Sequence, residues 1–131
     1  MVWFVTPYRT YPQLRLKLSG FYVLDPSKPS QLILGPFNGK VACQIIAFGR
    51  GVCGAAAKTK ETQLVPDVEL FPGHIACDGD SKSEIVVPIL DGEGRLVGII
   101  DVDCKVEKGF DEVDRLWLEK LAGLLGEGCD W

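Results

Sequence analysis

Residues 84–90 (EIVVPIL) and 95–102 (RLVGIIDV) are two apolar, β-branched runs separated only by Asp91-Gly92-Glu93-Gly94. Isoleucine and valine at this density favour extended chain, and a four-residue link with two glycines suits a hairpin turn, so the pair commits the fold to antiparallel sheet. Pro88 inside the first run has no N–H to give to a ladder, which marks a sheet edge or a bulge at that point.

A second hairpin is predicted around the turn residues 25–30 (DPSKPS), between residues 20–24 (GFYVL) and the short apolar run 32–34. Residues 41–48 (VACQIIAF) read as a further strand, ended by Gly49 and Gly51. The alanine-rich stretch 52–62 (VCGAAAKTKET) reads as a short helix. The period then changes. Val113, Leu116, Trp117, Leu121, Leu124 and Leu125 fall on one helical stripe, with Asp111 placed to cap its start and Gly126 near its end. A stripe of that size must pack on another element. At 131 residues the chain has the length of one domain. The order of elements predicts an α+β fold with a central, largely antiparallel sheet and helices packed on one side.

Charge is distributed unevenly. Every acidic residue lies at Asp25 or later, whereas Arg9, Arg15 and Lys17 come before it, as do half of the twelve aromatic residues. The acidic body has no cluster of Lys and Arg to neutralise phosphates, which argues against nucleic-acid binding. No stretch reaches the roughly 18–20 apolar residues of a membrane span. The apolar start, residues 1–5, is broken by Thr6, Pro7, Tyr8 and Arg9 well short of a signal-peptide core, so a cytoplasmic chain is expected. In that compartment five cysteines read as thiols, metal ligands or redox groups rather than staples. Cys43, Cys53, Cys77, Cys104 and Cys129 show no close pairing, and His74 stands alone, so a metal site is not expected.

Chemistry is expected in the long loop 66–83, which holds His74 and Cys77. Beside it stand Glu84, at the start of an apolar strand, and Asp101 with Asp103, which share one strand face by the period-two rule. Taken singly, each has a bland explanation: a solvent-facing pair, an edge carboxylate, a cysteine acting as a small hydrophobe. Charges at the ends of apolar strands are costly to bury, however, and are often kept for function.

Taken with their neighbours, these residues resemble the free methionine-(R)-sulfoxide reductases, a family built on the GAF fold. The resemblance runs from about Gly20 to the end, through GFY, LGPFNGKVACQ, GRGVCG, VPDV, PGHIACD, SEIVVPI and GIIDVD, with Cys43, Cys53 and Cys77 at intervals of 10 and 24. It implies thiol-dependent reduction of free L-methionine-(R)-sulfoxide through a sulfenic acid and an intramolecular disulfide, recycled by thioredoxin, with no cofactor. It implies Cys77 as nucleophile and Cys43 as resolving thiol, with Cys53 a competitor for either role. The residues fit that order: only a thiolate attacks, Cys77 lies in a polar loop, and Val41, Ala42, Ile45 and Ile46 around Cys43 look buried. By the same resemblance Glu84 and Asp103 activate the sulfoxide oxygen, Asp101 helps bind the substrate ammonium, and Tyr22 contacts the substrate methyl group. Backbone N–H groups of the glycine-rich loops would hold the substrate carboxylate. Members of the family form dimers, so a homodimer is one expected assembly.

The family's aromatic partner of Tyr22 is a Trp two residues before the Gly of GFY, and Leu18 stands there instead. Residues 1–19 match none of the family pattern, which divides the chain into an atypical N-terminal segment, 1–19, and a GAF-like catalytic domain, 20–131. A substituted or truncated start is expected to leave the stripe of Val113, Trp117, Leu121 and Leu124 under-covered. The competing reading is a GAF-type module that senses a small ligand or redox state without turnover. A pure sensor has no need of three cysteines at these intervals.

Overall fold

The computed structural model describes residues 16–40, 42–75, 77 and 79–131. Six strands form one antiparallel sheet, and the strands in chain order are β1 (Leu16–Asp25), β2 (Lys28–Gly39), β3 (Ile45–Ala47), β4 (Gln63–Val65), β5 (Ser83–Leu90) and β6 (Leu96–Cys104). Across the sheet they run β3-β2-β1-β6-β5-β4. Helix α1 (Gly51–Thr59) follows β3, a 3-10 turn spans Val68–Leu70, and α2 (Glu112–Gly128) closes the chain.

The two expected hairpins are present. β5 and β6 pair from Ser83↔Cys104 to Leu90↔Leu96. Their turn is fastened by Asp91, whose Oδ1 accepts from the N–H groups of Glu93 and Arg95, and Gly94 takes the left-handed backbone the turn requires (φ 77°). β5 is an interior strand, but β4 pairs only up to Gln63↔Val86, so Pro88 lies where one side of β5 has no strand partner among the described residues. The first hairpin is much longer than expected and turns tightly at Pro26-Ser27, with Asp25 accepting from the N–H and hydroxyl of Ser27. β1 begins at Leu16 and therefore runs through the expected boundary at residue 19, while residues 1–15 lie outside those described.

Three expectations are corrected. The strand expected over 41–48 is only Ile45–Ala47; residues 42–44 are irregular and Val41 lies outside the described residues. The helix expected over 52–62 ends at Thr59, because Lys60 turns left-handed (φ 58°) and its N–H caps back to Ala56. The helices do not share a side. α1 packs Val52, Cys53, Ala56 and Ala57 against Tyr22, Val86 and Ile99, whereas α2 packs Leu118, Ala122 and Leu125 against Ile85, Val87, Ile89 and Ile100. Val86 and Val87 are successive residues of one strand and so point to opposite faces. Among the described residues the sheet is covered by one helix on each face.

The expected α2 stripe is likewise rotated. Asp111 caps the helix through the N–H groups of Val113 and Asp114, completing a capping box. The buried face is Leu118, Ala122, Leu125 and Gly126, while Val113, Leu116, Trp117, Leu121 and Leu124 are exposed, Leu124 by 71%. Gly126 lies near the end of the helix, as expected, and lets α2 approach β5 so closely that a Cβ there would collide with the backbone of Leu90. Gly126→Ala is therefore expected to lower stability by about 3 kcal/mol, read as a fall in the urea midpoint at unchanged m-value. An unchanged midpoint would show that the helix can slide away at no cost.

Candidate active site

One face of three adjacent strands carries the polar site. Register places Leu18 of β1 beside Asp103 of β6 and Asp103 beside Glu84 of β5, with Gly20, Asp101 and Val86 in the next row and Tyr22 beside Ile99 in the row after. These positions alternate in phase along their strands, so Glu84, Asp101, Asp103, Leu18 and Tyr22 point to the same side. α1 lies over that side and brings Cys53 down onto it, its Sγ 3.7 Å from Glu84 Oε1. Together with Ala42, Cys43, residues 45–47, His74, Ile75, Cys77 and Ser81, they enclose a cavity of about 300 Å³.

The expected residues converge on this cavity: Tyr22, Cys43, Cys53, Cys77, Glu84, Asp101 and Asp103 all line it. Cys43 and Cys77 are joined as a disulfide at its mouth, their Cα atoms 5.5 Å apart. The expected difference in burial between them is not found. Both are half-buried, and Ile45, beside Cys43, is exposed, because β3 is a short edge strand with sheet on one side only. Leu18 is buried in the cavity wall. Cys104 lies buried on the other face of the sheet and Cys129 is exposed beyond α2; neither belongs to the site.

Burial governs the electrostatics. Glu84 is only 6% exposed and Asp101 5%. Burial pushes the Glu84 carboxyl well above the ordinary range, and the neighbouring charges of Asp101 and then Asp103 push it further. Burial raises Asp101 as well, while hydrogen bonds received from Glu84 and Cys53 pull it back. The Cys53 thiol is pushed well up, first by burial and then by Asp101 and Glu84, so at neutral pH it remains a thiol. The donor atoms of Cys53, Glu84 and Asp101 lie within 4.8 Å of one another, close enough for a shared cation, but the hydrogen bonds among them hold the trio together through protons.

Two polar atoms in the cavity wall are buried without a partner among the described residues: Asp101 Oδ1 and Ser81 Oγ. A buried polar atom left unpaired costs free energy that a bound ligand would recover. The start of α1 is also open among the described residues. Arg50, its N-cap, makes no side-chain capping bond, and the first intrahelical bond runs from Gly54 N to Arg50 O, leaving the N–H groups of Gly51, Val52 and Cys53 without helical partners at the cavity wall. Ser81 and Arg50 were not singled out in the sequence, since each looks like an ordinary loop residue there. The loop bearing Cys77 is fastened to β1 by Lys17, whose Nζ lies 2.9 Å from Asp80 Oδ2.

The GAF domain family matches residues 13–128. The free methionine-R-sulfoxide reductase of Saccharomyces cerevisiae is 62% identical over 111 residues, which are 85% of this chain and 62% of that protein. A solved structure described as that of the GAF domain is 58% identical and superposes with a TM-score of 0.88 over 90% of this chain and 67% of its own. The X-ray structure of free methionine-R-sulfoxide reductase from Neisseria meningitidis in complex with its substrate is 46% identical, with a TM-score of 0.80 over 85% of this chain and 65% of that one. The chain thus spans somewhat less than two thirds of the length of both reductases.

Proposed function

Because the chain belongs to the GAF-domain family and groups within it with the free methionine-R-sulfoxide reductases, we propose that it reduces free L-methionine-(R)-sulfoxide to L-methionine with its own cysteines, and that thioredoxin restores them. The observation that carries this reading is a disulfide at the mouth of a cavity floored by three carboxylates.

The reaction has two half-steps. The Cys77 thiolate attacks the sulfoxide sulfur while the oxygen takes up one proton; the sulfoxide S–O bond breaks and the oxygen ends on the cysteine sulfur, so that methionine departs and Cys77 is left as a sulfenic acid, the sulfoxide gaining two electrons and Cys77 losing them. The Cys43 thiol then displaces water from the sulfenic sulfur and the S–S bond closes. A Cα separation of 5.5 Å is within the span a disulfide allows. Cys53, buried and held as a thiol, is poorly suited to attack. Glu84 serves as proton donor to the oxygen, a role favoured by the upward shift that burial gives its carboxyl, and Asp103 completes the oxygen site.

The substrate's ends suit the remaining groups. Its ammonium can donate to the unpaired Asp101 Oδ1. Its carboxylate suits the open N–H groups at the start of α1, with Arg50 beside them. Tyr22 and Leu18 offer apolar wall to the methyl group, Leu18 without the flat face of an aromatic ring. A reducing compartment such as the cytoplasm goes with thioredoxin recycling.

The test is NADPH oxidation coupled through thioredoxin reductase and thioredoxin to free methionine-(R)-sulfoxide. Turnover that disappears without sulfoxide is expected; none at all, with Cys77 still alkylating normally in the reduced chain, would falsify the reading. Cys43→Ser should release one equivalent of methionine and then stall. Full recycling by that variant would transfer the resolving role to Cys53. Ser81→Ala removes a hydroxyl that has no partner among the described residues, so stability should stay within about 0.5 kcal/mol while KM rises several-fold. A loss of stability with KM unchanged would make Ser81 a structural group.

A further inference from the structure

Tyr22 is 2% exposed, and its hydroxyl donates to the backbone carbonyl of Cys43 at 2.8 Å. The two ends of this bond differ in rigidity. β1 is an interior strand, with Tyr22 paired to Leu34 on one side and Ile99 on the other. Residues 42–44 have no regular structure, and among the described residues the other backbone bond holding them runs from Leu34 N to Gln44 O. When the disulfide is reduced, these two bonds fix where the Cys43 thiol stands relative to Cys77. Disulfide closure depends steeply on that placement, because the sulfurs meet only within a narrow range of Cα separation and direction.

We propose that the Tyr22 hydroxyl is a positioning group for the resolving step: by pinning the Cys43 carbonyl to the central strand it raises the effective concentration of the Cys43 thiol at Cys77. The proposal rests on the resolving role given to Cys43, and it separates two duties of one side chain. The ring forms cavity wall, and the hydroxyl holds the peptide. Burial keeps the phenol protonated, as a donor must be.

Tyr22→Phe keeps the ring and removes the hydroxyl. In rapid-quench single turnovers the rate of disulfide closure should fall about tenfold relative to the rate of methionine release measured in the same variant, the size expected for one lost hydrogen bond to an ordering group. Sulfenic acid should accumulate accordingly and be trapped by dimedone. Merely structural damage would slow both steps together, as Tyr22→Leu is expected to do. Closure in Tyr22→Phe at the wild-type rate overturns the proposal. A second reading needs no reductase activity: the equilibrium between the reduced chain and its Cys43–Cys77 disulfide in glutathione buffers should shift about tenfold toward the thiols in Tyr22→Phe. Equal equilibria overturn the proposal even if the chain reduces no sulfoxide.

Discussion

Cys77→Ser is expected to lower turnover of free methionine-(R)-sulfoxide at least about a thousandfold while leaving the reduced chain folded. A serine hydroxyl is not ionised near neutral pH and an alkoxide is not soft enough to take oxygen from sulfur, so the first step loses its nucleophile outright. The fold should tolerate the change because Cys77 lies in an irregular loop at the cavity mouth and contributes little to either packed layer. Under non-reducing conditions the variant also loses a cross-link spanning 34 residues, which should lower stability by about 3–4 kcal/mol; comparing urea midpoints with and without reductant isolates that effect. Single-turnover methionine release is the deciding measurement. If Cys77→Ser still gives one equivalent of methionine and Cys53→Ser gives none, attack belongs to Cys53 despite its burial, and the arrangement of roles must be reversed.

Both the fold and the site were legible in the sequence to different depths, and the differences have physical causes. The β5–β6 hairpin could be read directly because its turn residues and β-branched runs agree. Asp111 was readable as a cap for the same reason, since one short side chain at the right place satisfies two N–H groups. Placing both helices on one side failed because α2 is long and rich in leucine whereas α1 is short and rich in alanine. Yet residues 84–90 are apolar without alternation, which is what a strand buried on both faces should show. β4 and β3, three residues each, carry no period of their own and are defined only by the strand they pair with. In the site, Glu84, Asp101 and Asp103 stood out as charges set among apolar residues. Ser81 and the open start of α1 did not, because what distinguishes them is a missing partner, a property of the folded chain rather than of any local pattern.

Glu84→Gln should divide function from stability. If Glu84 protonates the sulfoxide oxygen, the amide, which keeps the size and much of the hydrogen bonding but cannot give up a proton, should reduce kcat by about a hundredfold or more. KM should change far less. Stability should move the other way. The folded-state pKa of Glu84 lies well above its unfolded value, mainly through burial. The native state therefore holds a proton that the unfolded chain has already released over the interval between the two values. In that interval stability falls as pH rises: the contribution is fully present below the unfolded pKa of about 4.3 and is progressively lost up to the raised folded value. Asp101 adds in the same sense, since burial raises it too. Glu84→Gln removes the larger part of this penalty. Its urea midpoint should approach or fall below that of wild type near pH 4.5 and exceed it near pH 8, while wild-type activity declines as alkaline pH empties the proton donor. A wild-type midpoint that does not fall between those pH values, or a variant that retains wild-type kcat, would mean that Glu84 stands ionised in the folded chain and that the proton for the sulfoxide oxygen comes from elsewhere.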